Sequence, residues 1–248
     1  MRWKYRTTSV PTDIIRIGQN VYFGSFQDNW YALKLRTGEL VWKFSTGASN
    51  ESCEFTRSPV ADDRYLYLTG LDGFIYSLDA SSGRVVWKRT LTSKPSTGLT
   101  LKDNVLFVGA SDNRIYRLNA ETGNTIAELS VDAMPVGRIA LTSNRLMMFL
   151  ENRSERLGYA ASVTTDLKPT WQQKFSPEWA SERPNVWGES VIVGNCRGEV
   201  AALSVFDGTP HWKLSLKGCV RSIGNSANMV FIGVQEGTIY VYASPPKH

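Results

Sequence analysis

Residues 66–88 of this chain read LYLTGLDGFIYSLDASSGRVVWK, and this stretch decides the fold. Two alternating apolar runs are joined by Asp72-Gly73, a Ser-Gly turn follows, and a third run ends near Trp87. Alternation with a period of two, interrupted by turn residues, predicts short antiparallel strands. Trp42 and Trp212 close similar stretches, each four residues after a glycine. Recurrence of such a unit at about forty residues is typical of the blade of a β-propeller.

The copies can be aligned on the residue that lies eleven positions before the closing tryptophan. These marker residues are Tyr31, Tyr76, Tyr116, Ala160, Ala201 and Tyr240. Six markers predict six blades, with approximate bounds 9–46, 55–91, 95–131, 135–175, 181–216 and 219–244. The closing position holds Trp42, Trp87, Trp171 and Trp212 in four copies and Ala127 in the third.

The ends of the chain suggest how the last blade is completed. Counting past the C-terminus and on from Met1 places Trp3 at the closing position of the sixth copy. Residues 1–8 are therefore predicted to form an N-terminal strand that completes the last blade and protects its edge. We expect an all-β fold, a six-bladed β-propeller of four-stranded antiparallel blades, forming a single domain over residues 1–248. Blade four diverges, with Leu167 where the other copies have a turn glycine.

Composition excludes several classes of protein. The 248 residues are 42% hydrophobic, and no apolar run approaches membrane-spanning length. The net charge of +5 permits an anionic partner, but the basic residues are scattered, so nucleic acid is not expected. Met1 leads directly into a predicted strand, so we expect no signal peptide in this chain.

Catalytic and metal-binding patterns are missing from the sequence. The only histidines are His211 and His248, and the chain has no Gly-x-Ser-x-Gly turn, phosphate-binding loop or metal-spaced cluster. Asp62-Asp63 is interpreted as a solvated turn rather than an acid–base pair. Cys53, Cys196 and Cys219 are an odd number without a C-x-x-C spacing, which argues against a zinc site and a full disulfide framework. Whether any two of them pair is open. We expect no catalytic residues, no metal and no enzyme.

The segment from Tyr76 to Trp87, Tyr-x-Leu-Asp-Ala-x-x-Gly-x-x-x-Trp, resembles the repeat of the pyrroloquinoline-quinone (PQQ)-like β-propellers. The resemblance implies that the recurrent tryptophans are structural docking residues between blades: Trp3, Trp42, Trp87, Trp171 and Trp212. Enzymatic members of that family bind the quinone with calcium and carry a vicinal disulfide, and this chain has no adjacent cysteines.

The chain therefore resembles the non-enzymatic branch, which consists of bacterial scaffolds such as an outer-membrane assembly lipoprotein. That resemblance implies no cofactor, a protein or peptide partner, and a periplasmic or other extracytoplasmic location. It also implies a monomer or one domain of a longer chain. Fold alone does not determine function.

One aligned column predicts a ligand site. Twelve residues before the end of the second strand of each blade lie Thr12, Arg57, Thr97, Arg138, Glu182 and Arg221. The three arginines fall on alternate blades, at the expected mouth of the central channel. Converging guanidiniums favour a carboxylate, a phosphate or an acidic side chain. The alternative is that each arginine pairs with a local acid, and Glu182 is one available partner.

Two long loops on the same upper face are candidate interface segments. One carries Glu51 and Glu54, and the other carries Trp179 and Arg183. Trp179 lies outside the docking column, so it can anchor an interface or tuck onto the neighbouring blade. We expect a non-catalytic binding or assembly module that recognises a protein or peptide through its upper face. The alternative is a propeller, or an enzyme, that binds an anionic metabolite or a quinone at the channel mouth.

Overall fold

The computed structural model describes residues 2–7, 9–25, 29–47, 59–175, 184–226 and 228–243. These residues form strands and turns, arranged in six antiparallel sheets. None of the described segments is a helix that could cross a membrane. The chain divides into two compact units, Met1–Ser130 and Val131–His248. The prediction of a single domain stays a prediction.

The first unit contains three four-stranded sheets, each following the chain order. Blade one is β1 (Pro11–Ile17), β2 (Asn20–Ser25), β3 (Asn29–Lys34) and β4 (Leu40–Ser45). Blade two is β5 (Val60–Ala61), β6 (Tyr65–Thr69), β7 (Ile75–Asp79) and β8 (Val85–Arg89). Blade three is β9 (Thr100–Lys102), β10 (Val105–Ala110), β11 (Arg114–Asn119) and β12 (Thr125–Ser130).

The second unit contains two four-stranded sheets and one three-stranded sheet. Blade four is β13 (Met134–Leu141), β14 (Arg145–Asn152), β15 (Leu157–Thr164) and β16 (Pro169–Phe175). Blade five is β17 (Asn185–Trp187), β18 (Ser190–Gly194), β19 (Glu199–Ser204) and β20 (Pro210–Ser215). Blade six is β21 (Val220–Asn225), β22 (Met229–Val234) and β23 (Ile239–Ala243).

This architecture confirms the predicted fold class, an all-β, six-bladed β-propeller. Residues 2–7 are not assigned to a strand, and the described part of blade six has three strands rather than four. Completion of the last blade by an N-terminal strand therefore stays a prediction.

Burial along each blade explains the sequence pattern. Strands in the middle of a blade pack on both faces, so β10 is nearly continuous apolar sequence, with Leu106 and Val108 fully buried. The outermost strands are more exposed: in β8 only Trp87 is buried, while Val85 and Val86 are about half exposed. The core of each unit consequently lies between its sheets.

Recurrent tryptophans contact the turn of the following blade. Each indole Nε1 donates a hydrogen bond to a backbone carbonyl there, at 2.9 Å from Trp42 to Ala80 and at 2.9 Å from Trp87 to Ala120. Gly83 makes room for Trp42, since a Cβ at Gly83 would come within 2.6 Å of the indole.

Three further tryptophans complete the docking pattern. Trp3 Nε1 donates to Leu35 O on blade one at 2.9 Å, and Trp171 Nε1 donates to Val205 O on blade five at 3.1 Å. Trp212 packs against the apolar cluster that blades five and six share. Trp3 therefore uses blade one in the same way as Trp42 uses blade two.

The turn between the third and fourth strands has the same backbone conformation in blade four, where leucine replaces the glycine of the other copies. The turn glycines that follow the third strand of a blade have positive φ, for example 70° at Gly83. In blade four Leu167 adopts φ 60° at the equivalent position, although an L side chain rarely does so. The side chain of Leu167 is buried, so its packing offsets part of the backbone cost.

Candidate functional site

The two ends of a blade carry different turns. We call the end with the turn between the second and third strands the upper end, and the opposite end the lower end. Among the described members of the predicted column, Arg221 is the second residue of β21 and lies at its upper end, whereas Arg138 lies in the middle of β13. Six of the predicted site residues lie outside the described residues, and expectations for them stay predictions: Glu51, Glu54, Arg57, Trp179, Glu182 and Arg183.

The predicted column coincides with β-bulges in the innermost strands. Strand pairing shifts register between Pro11 and Ile14 in β1, between Val136 and Ala140 in β13, and between Val220 and Ser222 in β21. These intervals contain Thr12, Arg138 and Arg221. A bulge leaves a residue outside the regular ladder and re-aims its side chain, and bulges are common beside binding sites.

In blade three the column position is Thr97, and its polar groups form hydrogen bonds with the neighbouring backbone. The backbone N–H groups of Ser96 and Thr97 both donate to Gly109 O, at 2.8 and 3.3 Å. The buried Thr97 hydroxyl accepts from Gly109 N at 2.8 Å and donates to Gly98 O at 2.9 Å. The Thr97 hydroxyl is therefore occupied by backbone hydrogen bonds.

The two described arginines of the column have different surroundings. The guanidinium of Arg221 is exposed and donates from Nε and Nη2 to Oε1 of Gln235, at 3.2 and 2.6 Å. Because Gln235 is neutral, it orients this guanidinium without cancelling its charge. Arg138 is half-buried and follows Gly137, which has φ 70°.

A disulfide bond joins blades five and six. Cys196 lies in the upper turn between β18 and β19, and Cys219 lies directly before β21. The bond therefore anchors the strand that carries Arg221 to the upper end of blade five. The sequence left the pairing of the cysteines open, and Cys53 lies outside the described residues.

A cleft of about 540 Å³ opens between blades four and five. Its walls are formed by Leu157, Lys174 and Phe175 of blade four and by Glu199, Ala201 and Lys213 of blade five. All of these residues lie near the upper ends of their strands, because β15 begins at Leu157 and β19 begins at Glu199. The cleft was not predicted, although Ala201 stands in the marker column where four of the six copies have tyrosine.

The remaining polar pairs serve structural roles. Asp62 accepts hydrogen bonds from the backbone N–H groups of Arg64 and Tyr65 and from the hydroxyl of Tyr67. Burial, with a smaller contribution from Asp62, raises the pKa of Tyr67. Asp62 thus caps a turn, in agreement with its interpretation from the sequence.

A serine and a histidine meet on the surface of blade five. Ser190 Oγ lies 2.8 Å from Nδ1 of His211, at an exposed position. In the part of the chain that the structure describes, no carboxylate orients His211, and no group of His, Cys, Asp and Glu is arranged to hold a metal ion. The pair therefore lacks the third group of a hydrolytic triad.

The repeats, the docked tryptophans and the six sheets support a β-propeller built from PQQ-like repeats. The family profile described as "Outer membrane protein assembly factor BamB" matches residues 27–149. The chain is similar to the outer membrane protein assembly factor BamB of Kangiella koreensis, with 36% identity over 63 residues. That match spans 23% of this chain and only 16% of the relative.

Two solved structures share the fold. The crystal structure of BamB from Moraxella catarrhalis matches with a TM-score of 0.63 and 16% identity, covering 97% of this chain and 87% of that one. The computationally designed Ika8 protein matches with a TM-score of 0.77 and 13% identity, covering 96% of this chain and 72% of that one. Identities this low support the fold alone.

Proposed function

We propose that this chain is a non-catalytic β-propeller that binds a protein or peptide partner during an assembly process outside the cytoplasm. The observation that carries the proposal is the match of residues 27–149 to the assembly-factor profile. The Kangiella koreensis relative carries the same printed name. Because that relative is matched over a small part of its length, its role is transferred here only as a proposal.

The use of polar residues within the repeats supports a scaffold rather than an enzyme. The carboxylate of Asp79 accepts hydrogen bonds from the backbone and hydroxyl groups of Ser81 and Ser82. These bonds lower the pKa of Asp79. Groups that are committed to turns in this way are poorly placed to transfer protons to a substrate.

The disulfide bond between Cys196 and Cys219 supports an extracytoplasmic location. Stable disulfides form in oxidising compartments and are rare where cellular thiols are kept reduced.

We place the binding surface at the upper ends of the blades. The bulge that contains Arg221 lies there, and the two loops with Glu51, Glu54, Trp179 and Arg183 are predicted to lie there as well. Bulged positions and long loops are where propellers and other β-folds usually carry recognition.

Site-specific photo-cross-linking in bacterial cells tests this proposal. A benzoylphenylalanine placed at Arg197 or Glu236, in upper turns, should give a discrete adduct with one partner protein. The same group at Asp207 or Lys168, in lower turns of the same unit, is the matched control and should give none. Adducts from the lower positions alone, or from none of the four, would contradict the proposal.

A second candidate function is the binding of an anion at the channel mouth. It is favoured by the bulges at Arg138 and Arg221 and by the neutral Gln235 that orients Arg221. Arg57 and Glu182 stand in the same aligned column of the sequence. Guanidiniums that are held in place bind carboxylates or phosphates more strongly than charges on mobile side chains.

Calorimetric titration with citrate and with phosphate at low salt tests the second candidate. The double substitution Arg138→Gln and Arg221→Gln should weaken binding at least about tenfold, because each charge-assisted contact contributes about 1.5–3 kcal/mol. Arg153→Gln is the control, since Arg153 already pairs with Glu151 at 3.1 Å. Equal affinity of the double variant and the unaltered chain would exclude the site.

A further inference from the structure

The marker tyrosine of the repeat fills the space between neighbouring blades. Tyr76 of blade two is buried and meets Phe44 of blade one edge-on, with ring centroids 5.4 Å apart. Its hydroxyl donates to the carboxylate of Asp72. In blade one, Tyr31 meets Tyr5 of the N-terminal segment edge-on, with ring centroids 5.9 Å apart. The tyrosine is thus a regular part of the packing between blades.

A lysine on the outermost strand covers that ring. Lys88 follows the docking tryptophan of blade two, and its Nζ lies 5.0 Å from the centroid of Tyr76 and 3.8 Å from that of Phe74. Lys43 occupies the same repeat position in blade one and lies 5.6 Å from the centroid of Tyr31. An ammonium above an aromatic face gains a cation–π attraction.

Blade five retains the lysine but has lost the ring. Lys213 pairs with Ala201 across the sheet, in the register in which Lys88 pairs with Tyr76. Glu199 stands where blade two has Phe74. The side chains of Leu157 and Phe175 on blade four do not close the gap, so the cleft of about 540 Å³ remains. The cleft is therefore the place of a missing aromatic side chain.

The charges around the cleft favour an acidic ligand. Lys174 and Lys213 are exposed, and neither forms an ion pair with any described residue. The one acid in the cleft, Glu199, accepts a hydrogen bond from Nδ2 of Asn195 at 2.6 Å. Two ammonium groups thus flank an apolar floor that includes the buried Ala201.

We propose that this cleft binds an extended segment of a partner protein in which an aromatic side chain is flanked by acidic residues. The aromatic ring takes the place of the missing tyrosine, beneath Lys213, and the acidic side chains pair with Lys174 and Lys213. A cleft of several hundred Å³ is of the size that holds such a group with its neighbouring backbone. This proposal rests on the proposed protein-binding function and names the chemistry of the partner.

Three acetylated, amidated peptides that differ only in a central Glu-Tyr-Glu, Glu-Ala-Glu or Lys-Tyr-Lys sequence test this assignment. Binding is followed by NMR through the amide signals of Gly158, Val200 and Ala201 of the ¹⁵N-labelled chain. Glu-Tyr-Glu should shift these signals in a saturable way. The other two peptides should bind at least about tenfold more weakly, since each lacks the aromatic or the electrostatic contribution.

Two variants and a matched control locate the binding. Ala201→Tyr restores the residue of the repeat into an existing space, so the chain should fold and lose the Glu-Tyr-Glu response. Lys213→Gln should weaken the response about fivefold to tenfold and reduce its salt dependence, which keeps the test valid if Ala201→Tyr does not fold. Lys43→Gln changes the same repeat position in blade one, where the ring is present, and should leave the response unchanged.

The outcomes separate this proposal from the proposed function. No saturable shift at millimolar peptide, or equal binding by Lys213→Gln and Lys43→Gln, would overturn the cleft assignment. If the upper-turn photo-cross-links at Arg197 and Glu236 persist in Ala201→Tyr, the chain binds its partner elsewhere and only the cleft assignment fails. If those cross-links are absent in the unaltered chain, the proposed protein-binding function is contradicted, regardless of the result of the peptide titrations.

Discussion

Replacement of Trp87 by alanine gives the sharpest test of the docking arrangement. Trp87 is 7% exposed, packs against Gly123 of blade three and donates to Ala120 O at 2.9 Å. Removing a buried tryptophan side chain leaves a cavity and costs about 3–5 kcal/mol. Loss of the hydrogen bond leaves the carbonyl of the fully buried Ala120 without its donor, which adds about 1 kcal/mol. We expect Trp87→Ala to lower the free energy of unfolding by about 4–6 kcal/mol.

Urea unfolding followed by circular dichroism measures this loss. Val86→Ala is the matched control, because Val86 is the adjacent residue of β8, is 47% exposed and should cost less than about 1 kcal/mol. Trp87→Phe retains most of the buried ring but no donor, so it should fall between the two. A free energy of unfolding for Trp87→Ala within about 0.5 kcal/mol of the Val86→Ala value would refute the docking argument.

Three further predictions concern other parts of the chain. Replacing both Cys196 and Cys219 by serine should lower the free energy of unfolding by about 3 kcal/mol, because the disulfide bond closes a loop with a sequence separation of 23. Dithiothreitol should cause the same loss of stability in the unaltered chain and should not change the stability of the variant. Deleting residues 1–8 should lower the melting temperature by at least as much as Trp3→Ala does, since both changes remove the indole that docks on Leu35 and Gly38. An unchanged melting temperature would contradict this docking and any role of the segment in closing the last blade. Acid unfolding should depend on Asp79, because the pKa of this carboxyl is lowered in the folded chain. Its contribution to stability is therefore complete above the unfolded pKa near 3.8 and is lost as the pH falls through the folded pKa. Asp79→Ala should flatten the calorimetric profile of melting temperature against pH below about pH 4, and an unchanged profile would show that the turn hydrogen bonds are unimportant.

Much of the fold was predictable from the sequence because each repeat satisfies its own local rules. The alternation of apolar residues specifies the strands. The glycines four residues before Trp42, Trp87 and Trp212 specify turns, and each of these glycines is covered by an earlier docking tryptophan: Trp3, Trp42 and Trp171, respectively. Leu167 shows the strength of the pattern: blade four forms the same turn with positive φ although it lacks the glycine. Closure by residues 1–8 depends on pairing between distant parts of the chain, so the pattern alone could not establish it.

The candidate site was less predictable because it depends on contacts between blades. The aligned column singled out Arg138 and Arg221, but the bulges that set them apart from the ladder appear only in the strand pairing. Three cysteines allow three pairings, and only the fold brings Cys196 to Cys219. Ala201 was visible as a gap in the tyrosine column. Its consequence depends on Leu157 and Phe175 of the preceding blade, which leave the space open.

Amide hydrogen exchange of the purified chain, with and without the partner captured by cross-linking, tests the binding surface most directly. We predict protection at the upper turns, around residues 72–73, 112–113, 197–198 and 236–237. We expect no change at the lower turns, around residues 37–38, 82–83, 122–123 and 207–208, which also join neighbouring antiparallel strands of the blades. Protection of the lower turns with unchanged upper turns would contradict the proposal that the chain recognises its partner through the upper ends of its blades.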